Sequence, residues 1–275
     1  MIWIAALAVL AAVILAYGWF EAGWLRYRVL ELELEGLPES LDGFRIAHLS
    51  DFHLGLPSRG PVATERAVAW VAKRRPDLVC ITGDLVSHPR GVPELVRLLR
   101  TLERPFVVLG NHDVAVTRDP FARGAELNGL REVGVLLRDE AIVVERGGRR
   151  IQIVGVDATS YPRGTARPWE LIDASTDLRI LLCHFPGIEN RLPVRAFQLV
   201  LAGHLHAGQI VLPYPGGALT LAHPRAQYVS GVYPAAGGVL HVSPGTGTSF
   251  VPFRFFARPE VTELVLRPAD IHSDG

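Results

Sequence analysis

Short apolar runs alternate with polar loops along most of this chain. Six of them are FRIAHLS (44–50), DLVCITG (77–83), FVVLG (106–110), IQIVGV (151–156), RILLCH (179–184) and LVLAGH (199–204). They are rich in Val, Ile and Leu and too short for helices, so each predicts a buried strand. Between the first three the spacing changes to a helical one. Pro61–Arg75 places Val68, Val71 and Ala72 on one face, and Pro93–Thr101 gives a shorter helix. Strands alternating with helices predict α/β layering, with helices covering sheet faces. Val135–Val156 predicts a hairpin turning at Gly147-Gly148. After His206 the pattern is strand and turn, with turns at Pro213–Gly217 and Gly237-Gly238, and a second, mostly antiparallel sheet is expected. No internal repeat interrupts this pattern.

The first twenty residues follow another rule. Met1–Phe20 contains no charged side chain and has no polar face. As a helix it spans about 30 Å, the thickness of a bilayer core. Trp3 lies near one end, and Tyr17, Trp19 and Trp24 near the other, where aromatic rings favour the interface. A cleaved signal needs a basic leader and a small-x-small cleavage site, and neither is present. A retained anchor is therefore expected over 1–20. A connecting segment with a first strand follows over 21–43, then the main domain over 44–268 and a tail over 269–275. Arg26 and Arg28 follow the apolar run and nothing cationic precedes it, which by the positive-inside rule places the domain in the cytoplasm.

Composition narrows the partners. The 275 residues carry 28 cationic and 28 acidic side chains. Zero net charge and the lack of a basic stripe argue against nucleic acid as a partner. Only Lys73 is a lysine, and the arginine excess reads as base-composition bias. Cys80 and Cys183 lie in apolar runs and read as core thiols, not a disulfide framework.

The chemistry collects where the predicted strands end. These ends carry Ser50-Asp51-Phe52-His53, Gly83-Asp84, Gly110-Asn111-His112-Asp113, His184, and His204-Leu205-His206. In open α/β sheets the ligand crevice lies outside the carboxyl ends of the strands. Each piece alone has an ordinary reading: a turn cap for Asp84, a helix cap for Asn-His-Asp, a core histidine for His184. Brought together without counter-ions, these carboxylates and imidazoles would cost several kcal/mol. Two divalent cations remove that cost, and mixed N/O donors suit Zn, Mn or Fe better than Mg or Cu(I).

In this order, SDFHLG, TGDLV, LGNHD, CHFP and AGHLHAGQ resemble the five motif blocks of the calcineurin-like metallophosphoesterases, over about Arg45–Leu266. The stretches YVSGVY, VSPGTGTSF and RFFARPEVTELVL resemble a membrane-associated bacterial branch of them. That branch contains YkuE-like phosphoesterases and a UDP-2,3-diacylglucosamine pyrophosphatase of lipid A synthesis. The resemblance implies a four-layer α/β/β/α sandwich behind a transmembrane helix, at a bacterial inner membrane. It implies a first metal on Asp51, His53 and His206, a bridging Asp84, and a second metal on Asn111, His184 and His204. His112 would stand over the substrate phosphate as acid or hydrogen-bond donor, and Asp113 would orient nearby groups or cap a helix. Manganese is the first expectation for both ions, with zinc or iron as alternatives. The pair would lower the pKa of a shared water, and hydroxide would attack phosphorus in line. Ala207 departs from the pattern, which often has glycine there.

His88, after GDLVS, is a candidate substrate contact, whereas His48, His223 and His241 carry no motif. Phe250, Phe253, Phe255 and Phe256 are expected either in the core or as an apolar rim for acyl chains. The resulting expectation is a membrane-anchored two-metal phosphoesterase acting on a lipid-linked phosphoester or pyrophosphate such as UDP-2,3-diacylglucosamine. A broad-specificity phosphodiesterase or phosphatase is the alternative. A non-catalytic scaffold is disfavoured because every ligand position is filled. The sequence implies no oligomeric state.

Overall fold

In the computed structural model, residues 1–127, 129–222 and 224–269 are described; His223 and nearly all of the 269–275 tail lie outside them. The chain first lays down β1 (Arg26–Leu34), β2 (Arg45–Leu49), β3 (Leu78–Thr82), β4 (Phe106–Val108) and β5 (Val135–Leu136). It then builds β6 (Glu140–Arg146), β7 (Arg149–Gly155), β8 (Leu178–Leu182) and β9 (Leu199–Ala202). A hairpin of β10 (Val211–Tyr214) and β11 (Gly217–Thr220) follows, then β12 (Gly231–Ala235) and β13 (Gly238–Val242). The last strand, β14 (Glu260–Pro268), returns to the first sheet.

Two six-stranded sheets result, in the orders β1-β14-β2-β3-β4-β5 and β12-β13-β9-β8-β7-β6. The six predicted strands are present within a few residues of their expected ends, as is the β6–β7 hairpin at Gly147-Gly148. The second sheet differs from expectation. Its interior pairs, β7–β8, β8–β9 and β9–β13, are parallel, and only β6–β7 and β12–β13 are antiparallel. The cause is in β8 and β9, which are apolar on both faces and covered on both, as parallel strands require. Of the strands after His206, β12 and β13 join the second sheet and β14 the first, and only β10–β11 stands apart as a two-stranded sheet.

The main core lies between the sheets. Ile46, Cys80, Phe106 and Val108 from one meet Ile153, Ile180, Leu182 and Leu201 from the other. On the outer face of the first sheet, α2 (Gly60–Arg74) and α3 (Val92–Leu99) bury Val68, Val71, Leu95 and Leu99 against Leu49, Ile81 and Val107. The outer face of the second sheet is covered more thinly, by 3-10 turns at Pro168–Leu171 and Pro186–Arg191 that bring Ile188 over Leu181 and Val200. Pro168 and Pro186 open these turns at their first position, where proline is tolerated, and Pro193 follows the second. The fourth layer is thus helical turns.

Helix α1 (Ile2–Glu21) is apolar all round and exposed until its last turn. That turn docks on the 250–257 loop. Gly18 leaves no room for a Cβ against the Phe255 ring, its carbonyl accepts from the Arg254 amide at 3.1 Å, and Glu21 accepts from the Ala257 amide at 2.7 Å.

Candidate metal centre

The carboxyl ends of β2, β3 and β4 in one sheet and of β8 and β9 in the other face a common rim. The turns leaving these strands are tight. Asp51, His53, Asp84, His204 and His206 all have left-handed backbones, with φ of 54°, 48°, 52°, 77° and 50°. Such residues persist only where surroundings over-determine them, and they collect at functional sites. Here backbone bonds hold them: the Asp51 amide donates to Gly83 O and the His53 amide to Asp84 O, both at 2.9 Å. Two glycines make the approach possible. A Cβ on Gly203 would collide with Ser50 and the Asp51 carboxylate, and one on Gly110 with the Asp84 carboxylate. Ala207 also has a left-handed backbone, at φ 52°. This gives a physical reason for glycine at that position, since an L-residue costs about 1–2 kcal/mol there.

The donors fall into two outer groups, Asp51–His53–His206 and Asp84–His184–His204, and a third, His53–Asp84–His112, overlaps both. In the first, His206 Nε2 lies 3.4 Å from Asp51 Oδ1 and 3.0 Å from His53 Nε2. In the second, His184 Nε2 lies 3.0 Å from His204 Nδ1 and 3.1 Å from Asn111 Oδ1. Asp84 joins them, with Oδ2 3.5 Å from His53 Nε2 and 3.3 Å from His184 Nε2. His204 and His206 therefore belong to different groups.

Ring nitrogens and carboxylate oxygens converging this closely, nearly all buried, have more lone pairs than protons to share. This donor set fits a pair of divalent cations. The electrostatics of the metal-free protein say the same. Burial, aided by Asp84, pushes Asp51 up to about 7. Burial also acts upward on Asp84, but the imidazoles of His184, His53 and His112 outweigh it and hold Asp84 well below the usual carboxylate range. Burial lowers His53 to about 3; for His184 the same effect is overcome by Asp84 and Asp51, which raise it to about 9.

His112 lies beside the donors. Its ring stands edge-on to His53 at 4.5 Å, Nδ1 is 3.2 Å from Ser87 Oγ, and Nε2 is 3.0 Å from Thr117 Oγ1. Asp113 caps no helix. Its carboxylate accepts from the amides of Leu85, Val86 and Gly110, tying the β3 and β4 loops together. It is a positioning residue for those loops. His88 caps the turn at Pro89–Gly91 and does not line the central cavity.

Two participants lie in the quoted stretches but had no role expected from sequence. Arg254 is completely buried and donates to the carbonyls of Gly247, Ala257, His206 and Pro244. Its Nη2 also lies 3.2 Å from His206 Nδ1. Gln209, at the end of AGHLHAGQ, bonds Ser249 and Val251 through both ends of its amide. It secures the loop that carries Phe250, a half-exposed ring at the cavity wall. The cavity is about 660 Å³, and His112, His204 and His206 share it with Val116, Phe185 and Phe250. A second, apolar hollow of about 290 Å³ shares Ser249 and Phe250 with it and extends to Phe121 and Val251.

The family model of the calcineurin-like phosphoesterases matches residues 44–208. A transmembrane protein with metallophosphoesterase domain from Danio rerio is 32% identical, over 95% of this chain and 62% of that protein. This chain therefore spans less than two thirds of that relative's length. The metallophosphoesterase YkuE of Bacillus subtilis (strain 168) is 28% identical over 84% of this chain and 82% of its own. The phosphodiesterase YaeI of Escherichia coli (strain K12) is 26% identical over 90% and 89%.

Proposed function

The chain belongs to the calcineurin-like phosphoesterase family and is a metal-dependent hydrolase of phosphoester bonds; we propose that it works at a membrane surface on a lipid-linked phosphoester or pyrophosphate. Asp51, His53 and His206 would hold one cation and Asn111, His184 and His204 the other, with Asp84 placed between the two groups. Manganese is the preferred ion, with zinc or iron as alternatives. When bound, the cations supply a water of lowered pKa and neutralise charge on the phosphoryl oxygens. The protein's own groups do the rest. His112 presents Nε2–H to a phosphoryl or leaving-group oxygen. Asp113 fixes the two loops that carry Asp84 and Asn111, and Phe250 and Phe185 exclude water from the cavity.

The lipid reading rests on one observation: the apolar hollow bounded by Phe121, Phe250 and Val251 continues from the metal-site cavity, on the loop where α1 docks. Helix α1 is long and apolar enough to cross a bilayer, which supports an anchor. Arg26 and Arg28 beyond it support a cytoplasmic catalytic domain. UDP-2,3-diacylglucosamine combines the required pyrophosphate and acyl chains. Incubation of the manganese-loaded protein with labelled UDP-2,3-diacylglucosamine is expected to release UMP and the lipid 1-phosphate. Intact hydrolysis of an aryl phosphodiester without that release would leave a broad phosphodiesterase.

A further inference from the structure

A separate cavity of about 300 Å³ lies at the base of α1 and shares no lining residue with the metal-site cavity. Its lining includes Arg26 and Arg28 of β1, Arg258 just before β14, Glu260 at the start of β14, and Val211 and Ala218 of the β10–β11 hairpin. The two β1 guanidinium groups share a single carboxylate: Nη1 of Arg26 lies 3.6 Å and Nη1 of Arg28 3.8 Å from the same oxygen of the buried Glu260. Arg258 is stacked 3.9 Å over Trp24 and tied to the carbonyls of Trp24 and Leu25. Two guanidinium groups therefore share one carboxylate, a local excess of positive charge, and Arg26 and Arg28 are 48% and 40% exposed, within reach of a ligand.

The surroundings are apolar. Phe256 lines the cavity, is 59% exposed, and lies 6.1 Å from the Tyr17 ring of α1. Residues 207–222 carry no charged side chain. On the hairpin Leu212 and Leu219 sit directly opposite one another and both are exposed. The hairpin is joined to the α1 docking loop, since the Val211 amide donates to Phe255 O at 2.9 Å. A guanidinium cluster suits a phosphate, which it binds through paired N–H donors. An exposed apolar surface running from the cavity mouth to a membrane helix suits acyl chains.

We propose that this cavity binds the headgroup of an anionic phospholipid. The phosphate sits between Arg26, Arg28 and Arg258, and the acyl chains leave past Phe256 along α1. The proposal rests on α1 being a membrane anchor. It gives the arginines a role beyond setting orientation: the cytoplasmic leaflet is rich in anionic lipid, and a bound lipid would fix how the domain sits on it.

The test uses the full chain in nanodiscs of equal parts phosphatidylglycerol and phosphatidylcholine, with retained lipid measured by mass spectrometry after detergent extraction and exchange. Wild type is expected to retain phosphatidylglycerol preferentially. The Arg26→Gln/Arg28→Gln variant is expected to lose the preference, by roughly fivefold per arginine, the scale for one basic residue at an anionic surface. Because that change also unpairs Glu260, Ala218→Trp provides a second variant, which fills the mouth without altering charge and should abolish the preference too. Competition by inorganic phosphate in chelator-treated protein, without preference among lipids, would mean an anion pocket and overturn the lipid assignment. Equal retention of both lipids by wild type would also overturn it. Alkaline extraction is run in parallel: release of the protein sinks the anchor itself, whereas inserted protein with no lipid preference sinks only the headgroup site.

Discussion

Ser87 Oγ lies 2.7 Å from Nδ1 of His53, which fixes more than the position of one ring. The same hydroxyl lies 3.2 Å from Nδ1 of His112. With Nε2 of His53 holding a cation, as proposed, its Nδ1 would carry the proton and donate to Ser87. The serine then donates to His112, which keeps its own proton on Nε2, the nitrogen facing Thr117 and the cavity. Ser87→Ala should leave metal content intact and lower kcat about tenfold, below the loss expected for removing the acid itself. The ¹⁵N shifts of His112 should also report a mixed tautomer in place of a single one. An unchanged tautomer in Ser87→Ala would show that the serine only packs.

Asp84 and His112 should separate by what each variant loses. Both Asp84→Asn and His112→Ala are expected to lower kcat by at least about a hundredfold. Asp84→Asn should also reduce metal content, since Asp84 lies between both donor groups, while His112→Ala should bind metal normally. Steady-state kinetics with metal analysis checks this; near-wild-type turnover in both variants would remove the catalytic assignment.

The two histidines of AGHLHAGQ offer a sharper division. His206 faces Asp51 and His53, and His204 faces His184. His206→Ala and His204→Ala should each retain about one ion of the pair, and a differing one. Titration with manganese, read by paramagnetic resonance, distinguishes coupled from single ions. Loss of the same ion from both variants would refute the division.

What the sequence made legible was the part built from strands and their ends. Parallel strands share a direction, which brings Asp51, Asp84 and Asn111 to one end of the first sheet and His184 and His204 to one end of the second; that the two ends meet depends on how the sheets pack. Periodicity could not say which strands become neighbours. β9–β13 pairing in parallel across the long stretch 203–237, and β14 inserting between β1 and β2, depend on contacts far apart in sequence. Arg254 was illegible for a different reason. One arginine among many in an aromatic tail looks like a surface residue until the loop closes over it. The pairing of His48 with His241, Nδ1 to Nδ1 at 2.7 Å between the two sheets, was hidden in the same way.

The metal-free protein should have a distinctive pH dependence. His184 is raised from 6.5 to about 9, so its proton stabilises the folded state fully below pH 6.5 and that contribution disappears as pH rises through 9. Burial lowers His48, His53, His206 and His241, so their contributions are lost only toward acid, below 6.5. Asp51 and Asp113, raised to about 7 by burial, act in the same direction and finish titrating near the lower end of the window from pH 7 to 9, leaving His184 as the group that changes across the rest of it. The melting temperature of chelator-treated protein should fall across that window, while metal-loaded protein, with the proton already displaced, should stay level. A rise for the metal-free form would contradict the assigned protonation of His184.

Arg254 ties the anchor, the loop 244–257 and the metal centre together. Its amide holds Gly18 O of α1, and its guanidinium serves the carbonyls of Pro244, Gly245, Gly247 and Ala257 in the loop and that of His206, and lies against the His206 ring. Arg254→Met keeps the bulk of the stem but leaves those carbonyls buried without donors, at about 1–3 kcal/mol each where water does not enter. The expected loss is at least about 3 kcal/mol, a fall in melting temperature of roughly 6 °C or more for a chain of this size. Arg254→Lys keeps the charge, but three donors on a point ammonium cannot span the same set, so it should fall between the two. If the guanidinium also positions His206, both variants should weaken the first metal more than the second, a difference that a purely structural role would not produce. Thermal melts with metal titration of the two variants decide this: wild-type melting in Arg254→Met would show that the loop stands without it.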